Sequence, residues 1–195
     1  MTSERLTTSD GNTLVYDRLP GGAPGVVFLH GLKSDRGGTK ALALEIHCAQ
    51  RGYAFVRFDM YGHGESSGTF EDGGPSRWRD DATAIIDTVT EGPQILIGSS
   101  MGGWVMTLAA LARPVHVAGL IGIAPAPDFT DEMMAAELDD TQRAQLNRDG
   151  HVDLPSDYGD EPMRISRHLI ADGGRHLILT KPIPLYCDRL LAIYF

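Results

Sequence analysis

Cysteine is scarce in this chain of 195 residues: the two that occur, Cys48 and Cys187, lie far apart in the sequence. Small secreted domains that depend on disulfides carry several closely spaced cysteines, so the sequence implies no disulfide framework. A chain of this length with 42% hydrophobic residues can instead form one domain with its own hydrophobic core.

Basic residues are also in short supply. The 17 lysines and arginines are outnumbered by 26 aspartates and glutamates, which gives a formal net charge of −9. Nucleic acids and anionic membranes attract clustered positive charge, so this balance disfavours both as partners.

Long apolar runs are absent as well. The first five residues contain no apolar core of a signal peptide, and no run in the chain reaches the length of a transmembrane helix. We therefore expect a cytoplasmic protein that has no membrane partner.

The most informative stretch is the Gly-Ser-Ser-Met-Gly sequence at residues 98–102, which matches the pattern G-x-S-x-G. An apolar, strand-like run precedes it at 95–97, and a helix-like run follows at 104–112. A serine at such a strand–turn–helix junction is held in a strained backbone conformation with its hydroxyl exposed. We predict a nucleophile elbow at Ser100, with φ above zero and the hydroxyl open to a pocket.

A second G-x-S-x-G match is centred on Ser66 and serves as an internal control. Glycines and a proline follow it at residues 73–75, so no helix is predicted directly after that serine. The missing strand–turn–helix context favours Ser100 over Ser66.

Strand-like and helix-like patterns alternate along the first two thirds of the chain. After a hairpin pattern at 6–19, the apolar runs typical of buried strands lie at 26–29, 54–58, 95–97 and 118–124. The helical patterns lie at 39–51, 76–90 and 104–112. This alternation predicts an α/β fold with a mostly parallel sheet flanked by helices, and a ligand site at the carboxyl ends of the strands.

Residues 126–180 interrupt this alternation. They contain helical patterns at 129–138, 141–148 and 161–172 and a loop-like stretch at 150–159. We expect a helical cap over the site, with simple surface packing as the alternative. The predicted division is a core at 1–125, a cap at 126–180 and a last core strand in 181–195.

These motifs together resemble the α/β-hydrolase superfamily. The resemblance is carried by His30-Gly31, by the loop from Asp59 to Ser66, and by residues 98–104. Shorter stretches at 38–41, 92–96 and 182–187 resemble the abhydrolase-domain-10 type, whose members are acyl-protein thioesterases and acyl-glucuronide esterases. The resemblance extends from about residue 10 to about residue 191.

The resemblance implies a serine hydrolase that acts on a small-molecule acyl ester or thioester through an acyl-Ser100 intermediate. The N–H groups of Leu32 and Met101 would form the oxyanion hole, and no cofactor or metal is implied. His30 would have a structural role, and Asp59 would hold the glycine-rich loop that follows it.

The family pattern also places an acid and a histidine after the strand that begins near residue 189, with one more strand and helix. This sequence ends at residue 195, so we interpret it as C-terminally truncated. Asp128 lies where some α/β hydrolases carry their acid, but nothing in the spacing brings any histidine to Ser100. We assign no base; the histidines in predicted loops or cap are His63, His151, His168 and His176.

Three interpretations therefore remain open. The chain is a serine hydrolase whose missing groups come from a substitute residue or a partner chain, a non-catalytic acyl-binding or interaction protein, or a fragment without function. An apolar last strand at the sheet edge also predicts a homo-oligomer formed through residues 182–195.

Overall fold

A seven-stranded sheet forms the centre of the molecule. A computed structural model describes residues 3–155, 162–187 and 190–193. The strands of the sheet are β1 (Glu4–Thr7), β2 (Thr13–Leu19), β3 (Gly22–Leu29), β4 (Tyr53–Phe58), β5 (Gln94–Ser99), β6 (Val117–Ile123) and β9 (Leu190–Ile193). Their order in the sheet is β1-β2-β4-β3-β5-β6-β9; the pairs β1–β2 and β2–β4 are antiparallel, and the other pairs are parallel. The predicted mostly parallel sheet is confirmed.

Helices cover both faces of this sheet. They are α1 (Thr39–Arg51), α2 (Pro75–Val89), α3 (Met101–Ala112), α4 (Asp140–Asp149), α5 (Arg167–Gly173) and a π-helix (Thr130–Ala135). Helices α2 and α3 pack on one face with the larger hydrophobic core, which includes Trp78 and Trp104, while α1 packs on the other face. No helix in the described ranges combines the length and apolar character needed to cross a membrane.

Residues 126–180, here called the insertion, differ in part from the predicted helices. The helix predicted over 161–172 is wrong in its first half, because β8 (Met163–Ser166) pairs there with β7 (His151–Leu154) and α5 starts only at Arg167. The loop predicted at 150–159 is likewise wrong where it includes β7. Val152 and Ile165 face each other in this antiparallel pair and are fully buried, which fixes these short strands.

The insertion leaves the core after β6 and is closed at its base by Asp128. This buried aspartate has φ of 56°, a left-handed conformation that aspartate tolerates. Its carboxylate accepts hydrogen bonds from the N–H groups of Ile178 (2.9 Å) and Leu179 (2.8 Å). The chain that enters the insertion is thus bonded directly to the chain that leaves it.

Strand β9 lies next to β6 at one edge of the described sheet. The predicted association surface at 182–195 includes residues 188–189 and 194–195, which lie outside the described residues. Association through this segment stays a prediction, as does the division of the chain at residues 125 and 180.

Candidate active site

Ser100 lies between β5 and α3 in a strained turn. Its backbone has φ of 51° and ψ of −121°, as predicted for an elbow. A serine adopts this conformation only when its surroundings impose it. Here the Ser100 N–H donates to the carbonyl of Ile123 (3.1 Å), and the Ser100 carbonyl accepts from the N–H of Ala126 (3.0 Å). The neighbouring strand and the start of the insertion therefore hold the turn.

The glycines of the motif are required by close backbone packing. A Cβ atom at Gly98 would overlap the carbonyl of Gly102, and one at Gly102 would overlap the carbonyl of Leu29. Strand β5 and helix α3 therefore approach each other and β3 at distances that exclude any side chain. The G-x-S-x-G spacing follows from this geometry.

Leu32 and Met101 line the same cavity as Ser100. The loop before Leu32 touches the elbow, since a Cβ at Gly31 would lie 3.4 Å from the Ser100 Cβ. Met101 is the first residue of α3, where N–H groups have no acceptor within the helix. Among the backbone hydrogen bonds of the described residues outside regular helices and strands, none uses the N–H of Leu32 or Met101. Their role as oxyanion donors remains a prediction.

A cavity of about 270 Å³ opens at Ser100. The core contributes the elbow and Leu32, and the insertion contributes the remaining walls. Apart from Ser100, the lining residues are Leu32, Met101, Ala126, Phe129, Met134, Glu137, Leu154, Pro155 and Met163. As far as the structure describes it, the wall is therefore apolar with a single carboxylate, as suits an acyl group.

Sequence reasoning missed most of the wall that the insertion supplies. Met134 is both buried and in the lining. Glu137 and Met163 were not singled out. The period-two pattern of β7 and β8 is the signal that could have placed Leu154 and Met163 together.

His30 is structural. Its Nε2 atom accepts a hydrogen bond from the N–H of Met60 (3.1 Å), so Nδ1 carries the proton and donates it to the carbonyl of Gly31 (2.8 Å). Burial lowers the pKa of His30 to about 4, which keeps the ring neutral. The ring joins the loop that holds Leu32 to the loop after β4.

Asp59 holds the glycine-rich loop, as the family resemblance implies. Its buried carboxylate accepts from the N–H of Glu65 (2.9 Å) and the N–H of Arg36 (2.7 Å), and it pairs with the Arg36 guanidinium. In the same loop, Ser66 donates to the carbonyl of Asp59 (2.6 Å) and accepts from the N–H of Val15 (2.9 Å). The second G-x-S-x-G serine is thus a structural residue.

No histidine of the described residues lines the cavity at Ser100. His63 is buried against the rings of His30, Phe70 and Trp78. His151 and His168 line a different cavity, between α5, the β7–β8 pair and residues 71–72.

His176 takes part in a cluster with Ser76 and Asp172 that resembles a catalytic triad in composition only. The Ser76 hydroxyl lies 2.6 Å from both the Asp172 carboxylate and His176 Nε2. Because the carboxylate can only accept, the hydroxyl donates to it and the histidine donates to the hydroxyl. A base must accept the serine proton, so this order does not activate Ser76.

Asp128 is likewise committed to a structural role. Both of its carboxylate oxygens accept backbone N–H groups at Ile178 and Leu179, and the residue is not part of the lining at Ser100. The described residues also contain no group of three or more His, Cys, Asp or Glu side chains arranged to hold a metal ion. The expectation that no cofactor or metal is needed stays a prediction.

Comparison with known proteins identifies a family and relatives that match most of the chain. Residues 23–151 match the hydrolase family Hydrolase_4, described as Serine aminopeptidase, S33. The chain is 42% identical over 188 residues to the palmitoyl-protein thioesterase ABHD10, mitochondrial, of Bos taurus. That match covers 95% of this chain and 61% of the bovine protein, so the chain spans less than two thirds of that relative's length.

Solved structures give the same assignment of fold. The alpha/beta hydrolase domain-containing protein 10 from mouse superposes with a TM-score of 0.87 at 40% identity, over 98% of this chain and 77% of that one. A structure from Agrobacterium vitis S4 superposes with a TM-score of 0.90 at 34% identity, over 97% and 77% of the two chains. The predicted α/β-hydrolase fold and its likeness to the abhydrolase-domain-10 type are confirmed. The bovine relative is named as mitochondrial, which does not support the cytoplasmic location expected from the sequence.

Proposed function

Because this chain belongs to the α/β-hydrolase family described as Serine aminopeptidase, S33, we propose that it is a serine hydrolase of ester or thioester bonds. The observation that carries the proposal is Ser100, held at φ of 51° beside an apolar cavity. An apolar wall suits an acyl chain better than a peptide. The bovine relative is named as a palmitoyl-protein thioesterase, which supports the same substrate class.

The proposed reaction starts with attack of the Ser100 hydroxyl oxygen on the acyl carbonyl carbon. The N–H groups of Leu32 and Met101 would stabilise the negative charge that develops on the carbonyl oxygen. Collapse of the tetrahedral intermediate expels a thiolate or alkoxide and leaves an acyl ester on Ser100. Water then attacks this ester, which releases the carboxylic acid and restores the serine.

The proton of the Ser100 hydroxyl needs an acceptor in this scheme. Loss of the histidine from a serine triad costs about six orders of magnitude in turnover, although the oxyanion hole and substrate binding alone retain roughly 10³–10⁴-fold over water. Since no histidine of the described residues lines the cavity, the proposal assigns no base. A base from a partner chain or from residues outside the described ranges is compatible with it.

An acyl-binding protein is the alternative function. The observation that favours it is the combination of an intact apolar cavity with the absence of a histidine from its described lining. Both functions predict acyl binding, and only the hydrolase predicts covalent chemistry at Ser100.

Labelling with a fluorophosphonate probe tests the proposal. We expect labelling of the parent chain and of Ser66→Ala, and none of Ser100→Ala, because Ser66 is held by structural hydrogen bonds. Turnover of p-nitrophenyl and thioester substrates should follow the same pattern. A parent chain that binds acyl ligands but shows neither labelling nor turnover would support the acyl-binding alternative instead.

A further inference from the structure

Glu137 is the single titratable side chain among the described residues that line the cavity at Ser100. It follows the π-helix of the insertion and precedes the buried Leu138. Every other lining residue except Ser100 is apolar. The carboxylate therefore has no charged counterpart among the described residues of the wall.

The carboxylate of Glu137 also has no protein partner within the described part of the chain. It takes part in none of the ion pairs there, and Arg143, on the neighbouring helix α4, uses its guanidinium to bond the carbonyl of Ala136 (3.2 Å). A structural carboxylate in this fold is bonded, as Asp59, Asp128 and Asp172 are. An unpaired carboxylate on the wall of an apolar cavity is available to a ligand.

We propose that Glu137 makes this cavity select ligands by charge, favouring acyl or leaving groups with a cationic end and rejecting those with a carboxylate. The inference rests on the proposed function for the identity of the ligand as an acyl compound. Glu137 is itself exposed, so water screens its charge in part, and its place on the wall is what brings the carboxylate close to a bound ligand.

Asp131 provides a matched control. It is an exposed carboxylate on the π-helix of the same insertion, but it is not part of the cavity wall. Asp131→Asn and Glu137→Gln therefore change the net charge equally and differ only in whether the lost charge faces the cavity.

Ligand binding tests the selection without any catalytic step. In the Ser100→Ala background, calorimetry would compare decyltrimethylammonium, decanol and decanoate below their micellar concentrations. We expect the cation to bind about five- to tenfold more tightly than the carboxylate, as one charge in a partly screened site predicts. Glu137→Gln should abolish this ratio, Glu137→Lys should reverse it, and Asp131→Asn should preserve it. Equal affinities in the parent, or equal effects of the two neutralising variants, would overturn the proposal.

Turnover separates this inference from the proposed function. Thioesters whose acyl chains end in a trimethylammonium, a methyl or a carboxylate group should show the same order in kcat/KM. If binding is selective but no thioester is cleaved, the hydrolase function fails and charge selection stands. If thioesters are cleaved without regard to charge, the hydrolase stands and charge selection is refuted.

Discussion

Two buried histidines, His30 and His63, lie next to each other beneath the loop that follows β4. The rings of His30 and His63 lie 4.8 Å apart, and burial lowers the pKa of each to about 4. His63 bonds the carbonyl of Tyr61 through Nδ1, and its Nε2 has no partner within the described residues. Neither ring can take up a proton without placing a charge in the core beside Trp78.

We therefore expect His63 to make the folded protein less stable at low pH. In the unfolded chain, His63 has a pKa of 6.5, whereas in the folded protein its pKa is about 4. Protonation therefore favours the unfolded state, and the free energy of unfolding falls as the pH is lowered from 6.5 to about 4. Between pH 7 and pH 4 the parent should lose about 3 kcal/mol more than His63→Asn. Urea unfolding at several pH values measures this difference.

Asp81 has the opposite effect on stability at low pH, but this effect is the same in the parent and in His63→Asn. Burial raises its pKa to about 7, so it favours the folded state at low pH equally in the parent and in the variant. Parallel profiles for the parent and His63→Asn would contradict the prediction.

At the residue scale, the sequence predicted the elbow because local geometry dictates it. Gly98 and Gly102 are fixed by contacts within a few residues of Ser100 and by one neighbouring strand. Glu137 could not be found in this way, because its place in the wall depends on how the whole insertion packs. Its local sequence is that of any exposed, acidic helix end.

Among the elements, α2 and α5 are joined by a buried carboxylate. Asp172 of α5 accepts from the Ser76 N–H (2.7 Å) and hydroxyl at the start of α2, where Gly74 supplies no side-chain cap. Burial alone would raise the pKa of Asp172, but hydrogen bonds from Ser76 and Arg175 outweigh it and the net pKa lies below the usual range. Asp172 thus caps α2 from the insertion.

Asp172→Asn should lower the free energy of unfolding by about 1–3 kcal/mol, since it removes a charged acceptor at a helix N-terminus. Urea unfolding at neutral pH measures the loss. Asp153→Asn is the control, because Asp153 pairs with the partly exposed Arg164 and such pairs contribute at most about 1 kcal/mol. Equal losses for the two variants would contradict a capping role.

The insertion should also limit the length of the acyl chain. An apolar cavity of about 150 Å³ holds one benzene molecule, so the 270 Å³ at Ser100 accommodates about ten carbons. We expect kcat/KM for a series from butyryl to palmitoyl esters to rise up to that length and then stop rising. Met163→Ala should move the break to longer chains.

Leu42→Ala provides the control for this series, because Leu42 is exposed on α1 and is not part of the cavity wall. If turnover is too slow to measure, the affinities of alkyl ligands for Ser100→Ala give the same comparison. A continuous rise to palmitoyl in the parent would show that the wall imposes no limit.

The core elements were predictable because short continuous apolar runs indicate the buried strands and helical spacing of apolar residues indicates the helices between them. Strands β7 and β8 were missed because each has only four residues, so their alternation of polar and apolar residues is short, and because a polar stretch of sequence separates the two segments that pair. Once formed, the pair is stabilised by tertiary burial of Val152 and Ile165 rather than by local preference.

For the whole molecule, the two edges of the described sheet differ in composition. Strand β1 at one edge carries Glu4 and Arg5, and charged residues discourage pairing between edges. Strand β9 at the other edge reads Leu-Leu-Ala-Ile, without a charge. The association predicted through residues 182–195 should therefore use the β9 edge.

Light scattering over a range of concentrations measures this association. We expect the parent to form a dimer or larger assembly and Leu191→Lys to shift it to the monomer, because a charge on an edge strand opposes pairing. Thr7→Lys, at an exposed position of β1, should leave the assembly intact. A parent that stays monomeric at every concentration would refute the prediction.

The contact of Asp128 with the N–H groups of Ile178 and Leu179 bears on how such a protein diversifies. It closes the base of the insertion, so residues 129–177 start and finish at one point on the core. Segments with adjacent ends can be exchanged, lengthened or shortened without redirecting the rest of the chain. The hydrogen bond from the Ala126 N–H to the Ser100 carbonyl is formed before the chain reaches Asp128, so it does not involve residues 129–177. Residues 129–177 can thus be exchanged as a unit while Ser100 keeps its strained geometry.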